Sequence, residues 1–397
     1  MADTVDLVIL GGGCAGLGLS MALAAHGSRC PRTQVIESRT AYTNDRTWCF
    51  WGERSSAAPY AIQHRWQTMQ VVNAGNSVSF NCGSTPYHML AAHDFYAAAQ
   101  AWIDRQPNIA LRLGTAVVGE PVRCAADGMW HIRTSAGDVT ARAVVDTRPI
   151  QPPRRDGAVL WQSFYGQEIE CSVPVFNPLS VDLMNFLAPD PRHVQFVYLL
   201  PVTPTRALIE VTVFGAAPLA PQELKAQLEA AVAQRVGGAS FTTLRREHGI
   251  LPMGLNAAPR ATHESCVRVG LMAGGARPST GYAFQRIQRW AAECACALVS
   301  GGNPTRHRPD PLPLRVMDRI FLDVLRADPG RGGALFFSLF SRVEPARVIR
   351  FLSGQGSVLD GLAVVAAMPV PPFLRAALAM ARRRGRIGHI GEVRGLA

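Results

Sequence analysis

Val5-Asp6-Leu7-Val8-Ile9-Leu10 runs directly into Gly11-Gly12-Gly13-Cys14-Ala15-Gly16, and this junction decides the fold. An unbroken apolar run that stops at glycine fits a buried strand closing on a tight turn. Gly11 permits the turn, Gly13 lets backbone approach a pyrophosphate, and Gly16 lets the following helix, expected over Leu17–His26, pack on the sheet. The amide-rich start of that helix, with Ala15 just before it, faces the phosphates. A second apolar strand, Gln34-Val35-Ile36-Glu37, ends in a carboxylate 21 residues beyond Gly16, where a ribose hydroxyl acceptor belongs. A GxGxxG alone is a weak signal. With a strand before it, a helix after it and the acid at this distance, it specifies a dinucleotide site built from Gly11, Gly13, Ala15, Gly16 and Glu37.

The 397-residue chain has room for two subdomains and a smaller third piece. Its 48% hydrophobic and 17% charged content reads as globular, and a mean hydropathy of +0.08 leaves room for a greasy partner. No apolar run reaches the roughly 18 residues of a membrane span, and the N-terminus carries a strand rather than the basic start of a signal peptide. Nine scattered cysteines without CxxC pairs fit a reducing cytoplasm, not a disulfide framework or a zinc site. His88, His93 and His248 have no ligand spacing, so no metal is expected. The net charge of +11 comes from thinly spread arginines, Lys225 being the only lysine, without a basic stripe for nucleic acid. The one cluster, Arg382-Arg383-Arg384-Gly385-Arg386, follows the apolar segment Leu362–Met380, interrupted by Pro369, Pro371 and Pro372. From the residues alone it is either a solvated tail or an apolar face resting in a bilayer with arginines on anionic headgroups.

Along the chain, Ala141–Asp146 reads as another buried parallel strand and Cys266–Met272 as a last one, with a helix from Tyr282 to Val299. Between them lie hairpins over Thr68–Ser79 and Val194–Val213 and an amphipathic helix over Gln222–Val236. The interleaving predicts an α/β, Rossmann-like cofactor domain of residues 1–65, 84–157 and 245–305. An antiparallel-sheet substrate domain of 66–83 and 158–244 is inserted into it, and 306–397 form a helical C-terminal region. Gly301–Pro313 reads as a linker.

The stretch Gly270–Tyr282 is similar to the GDAAHxxxPxxGxG loop of aromatic hydroxylases of the flavoprotein monooxygenase type, with Leu271 where those carry an aspartate. Its wording, Gly275-Ala276-Arg277-Pro278-Ser279-Thr280-Gly281-Tyr282, resembles the PSTGY loop of the lycopene β-cyclase family. Further motifs of that family occur in order: Asn44–Trp51 (NDRTWCFW), Gln162–Gly166, Leu183–Phe186, Leu208–Thr212, Gly249–Met253 and Arg350–Leu352. The resemblance spans residues 4 to 353, with two departures: Val211 replaces the second acid of the family's E-D or E-E pair, and Asn185 an Asp.

The resemblance implies a two-domain, hydroxylase-like flavoprotein with reduced FAD as cofactor and NAD(P)H as electron donor through a transient contact. It places Gly275, Pro278, Thr280 and Gly281 beside the flavin and Arg46 on the cofactor. By residues alone Arg46 is equally a surface salt bridge. The implied reaction is a redox-neutral isomerisation of the intramolecular lyase type. Lycopene or a related linear carotenoid would be cyclised through γ-carotene to β-carotene by a peripheral membrane enzyme on the cytoplasmic side. Protonation of an alkene needs an acid in a dry pocket, and Glu210 is the candidate, sharing a strand face with Leu208 and Thr212. Read without the resemblance, Glu210 is a solvent-facing residue of an amphipathic strand. Trp48, Phe50 and Trp51 either line the cavity or are ordinary core aromatics. The rival activities are a flavin-dependent monooxygenase or polyprenyl reductase on the same fold, and a non-catalytic, membrane-associated flavoprotein.

Overall fold

The computed structural model describes residues 3–52, 62–149, 157–255 and 263–393, except the side chains of Asp3 and of residues beyond Arg382. Only Arg382 of the arginine cluster therefore has a described side chain.

The opening strand, Asp3–Leu10, sits between two parallel neighbours, Thr33–Ile36 and Val139–Asp146. Leu7 to Leu10 are essentially inaccessible, because both faces of the sheet are covered. Ile109–Arg112 extends the parallel order beyond Thr33–Ile36. On the other side, Cys266–Arg268 and the antiparallel pair Trp130–Ile132 and Val122–Arg123 share the far edge of Val139–Asp146. The helix Cys14–Ala24 is apolar on every side and accordingly buried, wedged between Ala92–Asp104 and Phe284–Val299. The last strand stops at Arg268, short of the expected Met272, because Gly270 adopts φ +94° and a 3-10 turn over Leu271–Ala273 follows.

The second sheet has seven strands in the order 241–255, 158–171, 206–215, 194–201, 180–186, 68–73 and 76–81, and only the pairing of 180–186 with 68–73 is parallel. Residues 245–255, expected in the cofactor layer, instead continue the strand Phe241–Leu255, which pairs with Ala158–Cys171 along its length. The helix Pro221–Val236 covers one face, setting Leu224, Leu228, Ala231 and Val232 against Ile169, Ile209, Val211 and Val213. It starts on a proline whose missing N–H costs nothing there and stops at Gly237 in the left-handed region.

The opposite face buries Leu160, Phe196, Leu208 and Met253 against the C-terminal helices Leu312–Ala327, Gly332–Arg342 and Pro345–Leu352. Burial of each such side chain contributes about 1.5–3 kcal/mol. The C-terminal region is thus half of a shared core. A third, three-stranded sheet of Thr47–Trp51, Tyr87–Ala91 and His64–Trp66 lies in the chain segments between the two main sheets.

One fully buried ion pair ties these layers together. Arg277, from the loop after Gly270, places Nη2 3.2 Å from Asp318 Oδ1 on the helix Leu312–Ala327. It also donates to the Phe351 carbonyl, and its guanidinium stacks 4.2 Å from the Phe351 ring centre. Ser279 Oγ donates to the same Asp318 oxygen at 2.8 Å. Removing one partner leaves a bare charge in the core. Asp318→Ala should destabilise the protein by about 3–5 kcal/mol, and Arg277→Met with Asp318→Leu together by far less. Denaturant unfolding of the two variants tests this, and equal losses in the single and the double variant would contradict it.

Candidate active site

The phosphate-loop geometry follows from its glycines. Gly11 has φ +97°, its N–H donates to the Ile36 carbonyl at 2.8 Å, and Thr147 Oγ1 donates back to Gly11 O at 2.9 Å. At Gly16 a Cβ would overlap the Gly11 carbonyl oxygen, so helix and turn meet only without one. At Gly13, the N-cap of the helix, a Cβ would meet nothing within 4 Å: the loop opens a cradle there. The first helical turn carries no acid, leaving its amides to an anion. Ala15 is buried between this loop and the second one, 3.9 Å from where a Cβ on Gly270 would stand.

Glu37 reaches back to the loop, where its Oε2 accepts the Gly12 N–H at 2.7 Å. Burial pushes its carboxyl up, but hydrogen bonds and charge from Arg39, with the Gly12 N–H, outweigh this and hold it below the ordinary range. Arg39 is a site residue that the sequence reading missed. It donates to Gly12 O (3.0 Å) and Glu37 Oε2 (3.1 Å) and lies over the rings of Tyr42 and Tyr96. Its one signal was its place two residues after the acid. Arg46 pairs with Asp45 at 2.8 Å and is half exposed, yet stands close enough to the half-buried Cys14 for its charge to act on that thiol.

The second loop crosses beside the first. Gly275 lies against the Gly270 carbonyl, Pro278 and Thr280 are half-buried, and Thr280 Oγ1 accepts the Tyr282 N–H at 3.3 Å. Gly281 has φ +73°, and a Cβ on it would stand 2.6 Å from Gln162 Oε1, a buried oxygen without a hydrogen-bond partner. The expected linker also takes part: His307 Nε2 accepts the Gly270 N–H at 3.0 Å. Burial, then the charge of Arg286, pushes the His307 imidazole down to about 4, so that it is the neutral acceptor this bond needs. Leu271 occupies the half-exposed 3-10 turn.

Glu210 stands on Arg206–Gly215 with Leu208 on its own face, while Ile209, Val211 and Val213 point into the core under Pro221–Val236. It lies deep in the protein yet keeps an accessible face, as do Cys49, Tyr198 and Tyr282 nearby. Thr212 Oγ1 donates to its Oε1 at 2.9 Å. Burial, then the charge of Glu247, pushes the Glu210 carboxyl well up, against the pull of Thr212 and Arg245. Two charged neighbours, Glu247 and Arg245, arrive from a strand distant in sequence.

The strand Thr47–Trp51 separates its aromatics by alternation. Trp48 and Phe50 pack in the first-sheet core against Phe284, whereas Cys49 and Trp51 face Tyr87 and Tyr282 on the acid's side. Gln162, at Gly281, and Gly166, opposite Glu210, lie four residues apart on one face of Ala158–Cys171, about 13 Å. The second loop and the acid therefore bracket one stretch of strand, with Phe164 lying on Gly249 between them. Elsewhere Cys124, Asp127 and His131 converge on an exposed turn at the edge of the first sheet, where Asp127 is already engaged by His131 and the Met129 N–H.

A dinucleotide-type sheet, an inserted second sheet and a glycine loop spanning both define the two-domain fold of flavoprotein hydroxylases and reductases. A geranylgeranyl bacteriochlorophyll reductase-like protein from Thermoplasma acidophilum superposes with a TM-score of 0.61 at 12% identity, covering 94% of this chain and 99% of its own. The p-nitrophenol 4-monooxygenase of Pseudomonas putida gives 0.56 at 14% identity over 96% and 98%. Within that fold the sequence is more particular. The lycopene cyclase protein family matches residues 6–378, and the chain belongs to it. A lycopene beta-cyclase of a Paracoccus species is 31% identical over 66% of this chain and 72% of its own length. The lycopene beta-cyclase of Pantoea ananas is 26% identical over 95% and 98%.

The two loop glycines differ in what they exclude. Gly16→Ala should cost about 1–3 kcal/mol of stability through its clash with Gly11. Gly13→Ala, facing open space, should unfold at nearly the wild-type denaturant concentration. Equal midpoints for the two variants would contradict this account of the loop.

Proposed function

We propose that this chain is a lycopene β-cyclase that closes the linear end groups of lycopene into β-ionone rings. The observation that carries the reading is Glu210: a carboxyl whose burial and whose neighbour Glu247 favour the neutral form, facing accessible space among aromatic side chains. Its O–H adds a proton to the terminal double bond, leaving a tertiary cation. The neighbouring double bond attacks that cation, and loss of a ring proton ends the sequence without net oxidation. Tyr87, Tyr198, Tyr282 and Trp51 surround the space near Glu210 and offer π-faces to positive charge, and burial keeps the three tyrosine hydroxyls un-ionised. The reaction thereby belongs with the intramolecular lyases among isomerases.

FAD is the cofactor that the loops fit, and on this reading its reduced form is the working one. Gly11, Gly13, Ala15 and Gly16 would hold its pyrophosphate, with Glu37 on its ribose and Arg46 nearby. The Gly275–Gly281 loop, with the unpartnered Gln162 oxygen, would lie at its ring end. Bound there, it supplies an electron-rich, reduced ring system beside the substrate, and NAD(P)H keeps it reduced. The substrate is a hydrocarbon that dissolves in bilayers, so the protein should work at a membrane surface, on the cytoplasmic side that suits its nine free thiols.

The C-terminal helices supply a face for that surface. Val358–Ala367 and the helix beginning at Val370 meet at 116°, and no single helix among the described residues is long and apolar enough to cross a membrane. Across the bend, Leu359, Leu362, Val365, Val370, Leu374 and Leu378 are all more than half exposed, an apolar stripe unusual on a water-facing surface.

Glu210→Gln keeps the shape and removes the transferable proton. Cyclisation should fall by at least about 10²–10⁴-fold, with flavin content retained, whereas Gly13→Val should lose the flavin. Because the active form is the protonated one, the wild-type rate should fall as pH rises through the raised pKa of Glu210. Pigment chromatography with product mass is the measurement: unchanged mass marks cyclisation, added oxygen a hydroxylase and added hydrogen a reductase.

Leu374→Asp with Leu378→Asp should lower co-sedimentation with anionic phospholipid vesicles severalfold while FAD content stays constant. Undiminished vesicle binding would remove the stripe from the membrane contact.

A further inference from the structure

The acid does not stand alone, and the reason is a glycine. Ala158–Cys171 runs between two antiparallel partners, and Gly166 lies opposite Glu210 on one side and opposite Glu247 on the other. The three residues form a row across the sheet, pointing to the same face. A Cβ on Gly166 would come within 3.3 Å of Glu210 Cβ, 3.3 Å of Glu247 Cγ and 3.3 Å of Leu208 Cδ1. Any larger residue would stand between the two glutamates. With glycine there, their carboxyl groups bend together over bare backbone into hydrogen-bonding reach.

Glu247 is itself firmly held. It is 3% exposed, ion-paired with Arg245 Nη1, and its Oε2 accepts the Thr47 hydroxyl at 2.8 Å. Thr47 in turn accepts from Arg245 Nη2 at 2.7 Å, which fixes its hydroxyl hydrogen toward Glu247. Arg245 Nε binds the fully buried Glu168 at 2.5 Å, and Arg206 Nε binds the other oxygen of Glu168 at 2.6 Å. The charges along this row close without Glu210: Arg206 and Arg245 are matched by Glu168 and Glu247. A fifth charge would stand unpaired in a dry site, so Glu210 enters the row as a neutral acid.

We propose that Glu247 is the positioning residue of the proton donor: fixed as a carboxylate by Arg245 and Thr47, it reaches over Gly166 and keeps the transferable proton on Glu210. The proposal rests on the reading of Glu210 as the donor. The other groups that face Glu210 are Thr212 from its own strand, Tyr198 from 194–201, Cys49 from 47–51 and Arg245 beside Glu247, with Tyr87 and Tyr282 beyond Cys49. Burial raises the Cys49 thiol and all three tyrosine hydroxyls, so they stay neutral across the working range. Glu247 is then, among the described residues, the negative charge that acts most strongly on Glu210. The same charge favours recapture of a proton once Glu210 has given its own away.

The test is the pH–rate profile of flavin-loaded enzyme acting on lycopene in phosphatidylcholine vesicles, for wild type, Glu247→Gln, Glu247→Asp and Gly166→Ala. Without the negative neighbour Glu210 ionises more easily. The falling basic limb of Glu247→Gln should therefore move down by about one pH unit or more, with flavin content unchanged. Glu247→Asp should restore the limb most of the way, and Gly166→Ala, which separates the pair, should move it down as Glu247→Gln does. A purely structural role would lower the rate at every pH and leave the limb in place, and that result overturns the proposal. Infrared titration gives a readout independent of turnover: the protonated-carboxyl band that Glu210→Gln abolishes should disappear at lower pH in Glu247→Gln. If Glu247→Gln does not fold, Glu247→Asp and Gly166→Ala decide the matter through the same band. Wild-type activity in Glu210→Gln would instead remove the donor reading itself. An inactive Glu210→Gln beside an unmoved limb in Glu247→Gln would remove only the role of Glu247.

Discussion

On the proposed reading of Glu210, a carboxyl group that protonates a hydrocarbon has to be kept uncharged, and the strands and ion pairs around it are arranged to that end. Water would let Glu210 ionise; a salt bridge would do so more strongly. The second sheet solves both problems with neighbouring strands. The cations that could have claimed Glu210 are already taken, Arg245 by Glu168 and Glu247, Arg206 by Glu168. The buried ion chain is expensive to assemble, and replacing such groups with apolar ones is often neutral or stabilising. Its retention next to the acid is better explained by what it does to Glu210 than by what it adds to stability.

The same logic separates the two buried ion systems. Arg277 and Asp318 touch neither glutamate; they bind a glycine loop to helices that lie 40 and more residues later. The Gly275–Gly281 stretch contains left-handed and tightly packed positions that would not hold one shape alone. Its own Arg277 and Ser279 anchor it to Asp318, and the neutral His307 holds Gly270 just before it. Because Leu312–Ala327 also packs against the last helix, the loop, the second sheet and the exposed apolar stripe belong to one mechanically continuous unit.

What could be read from the sequence was what is local. The phosphate loop was legible because strand, turn and helix occupy one short stretch and each glycine has its own steric reason, and Glu37 because its distance from Gly16 is set by a single crossover. Arg39 was hidden by having no such rule: it is recruited by Tyr42 and by Tyr96, the latter on the distant helix Ala92–Asp104. His307 sat in a stretch whose glycines and prolines read as a linker, and nothing in its neighbours marks it as an acceptor for Gly270. Glu247 was invisible for a topological reason. It meets Glu210 only through a third strand, and no spacing along the chain encodes a contact across two strand pairings. The strand carrying it was also assigned to the other domain.

Strand geometry also explains why the loss of the acid at position 211 does not empty the site. Successive residues of a strand face opposite ways. Glu210 opens toward the aromatic space, and position 211 necessarily turns toward Pro221–Val236, where Val211 is wholly buried among Ile209, Val213 and Leu224. A carboxylate there would be unpaired in an apolar core and could not reach what Glu210 reaches. A second carboxyl able to act with Glu210 has to come from its own face, either two residues along, where Thr212 donates to it, or across the sheet. Gly166 makes the second route possible, and Glu247 takes it. An adjacent pair in the sequence and a facing pair in space are different things, and the proposed chemistry of this chain uses the second.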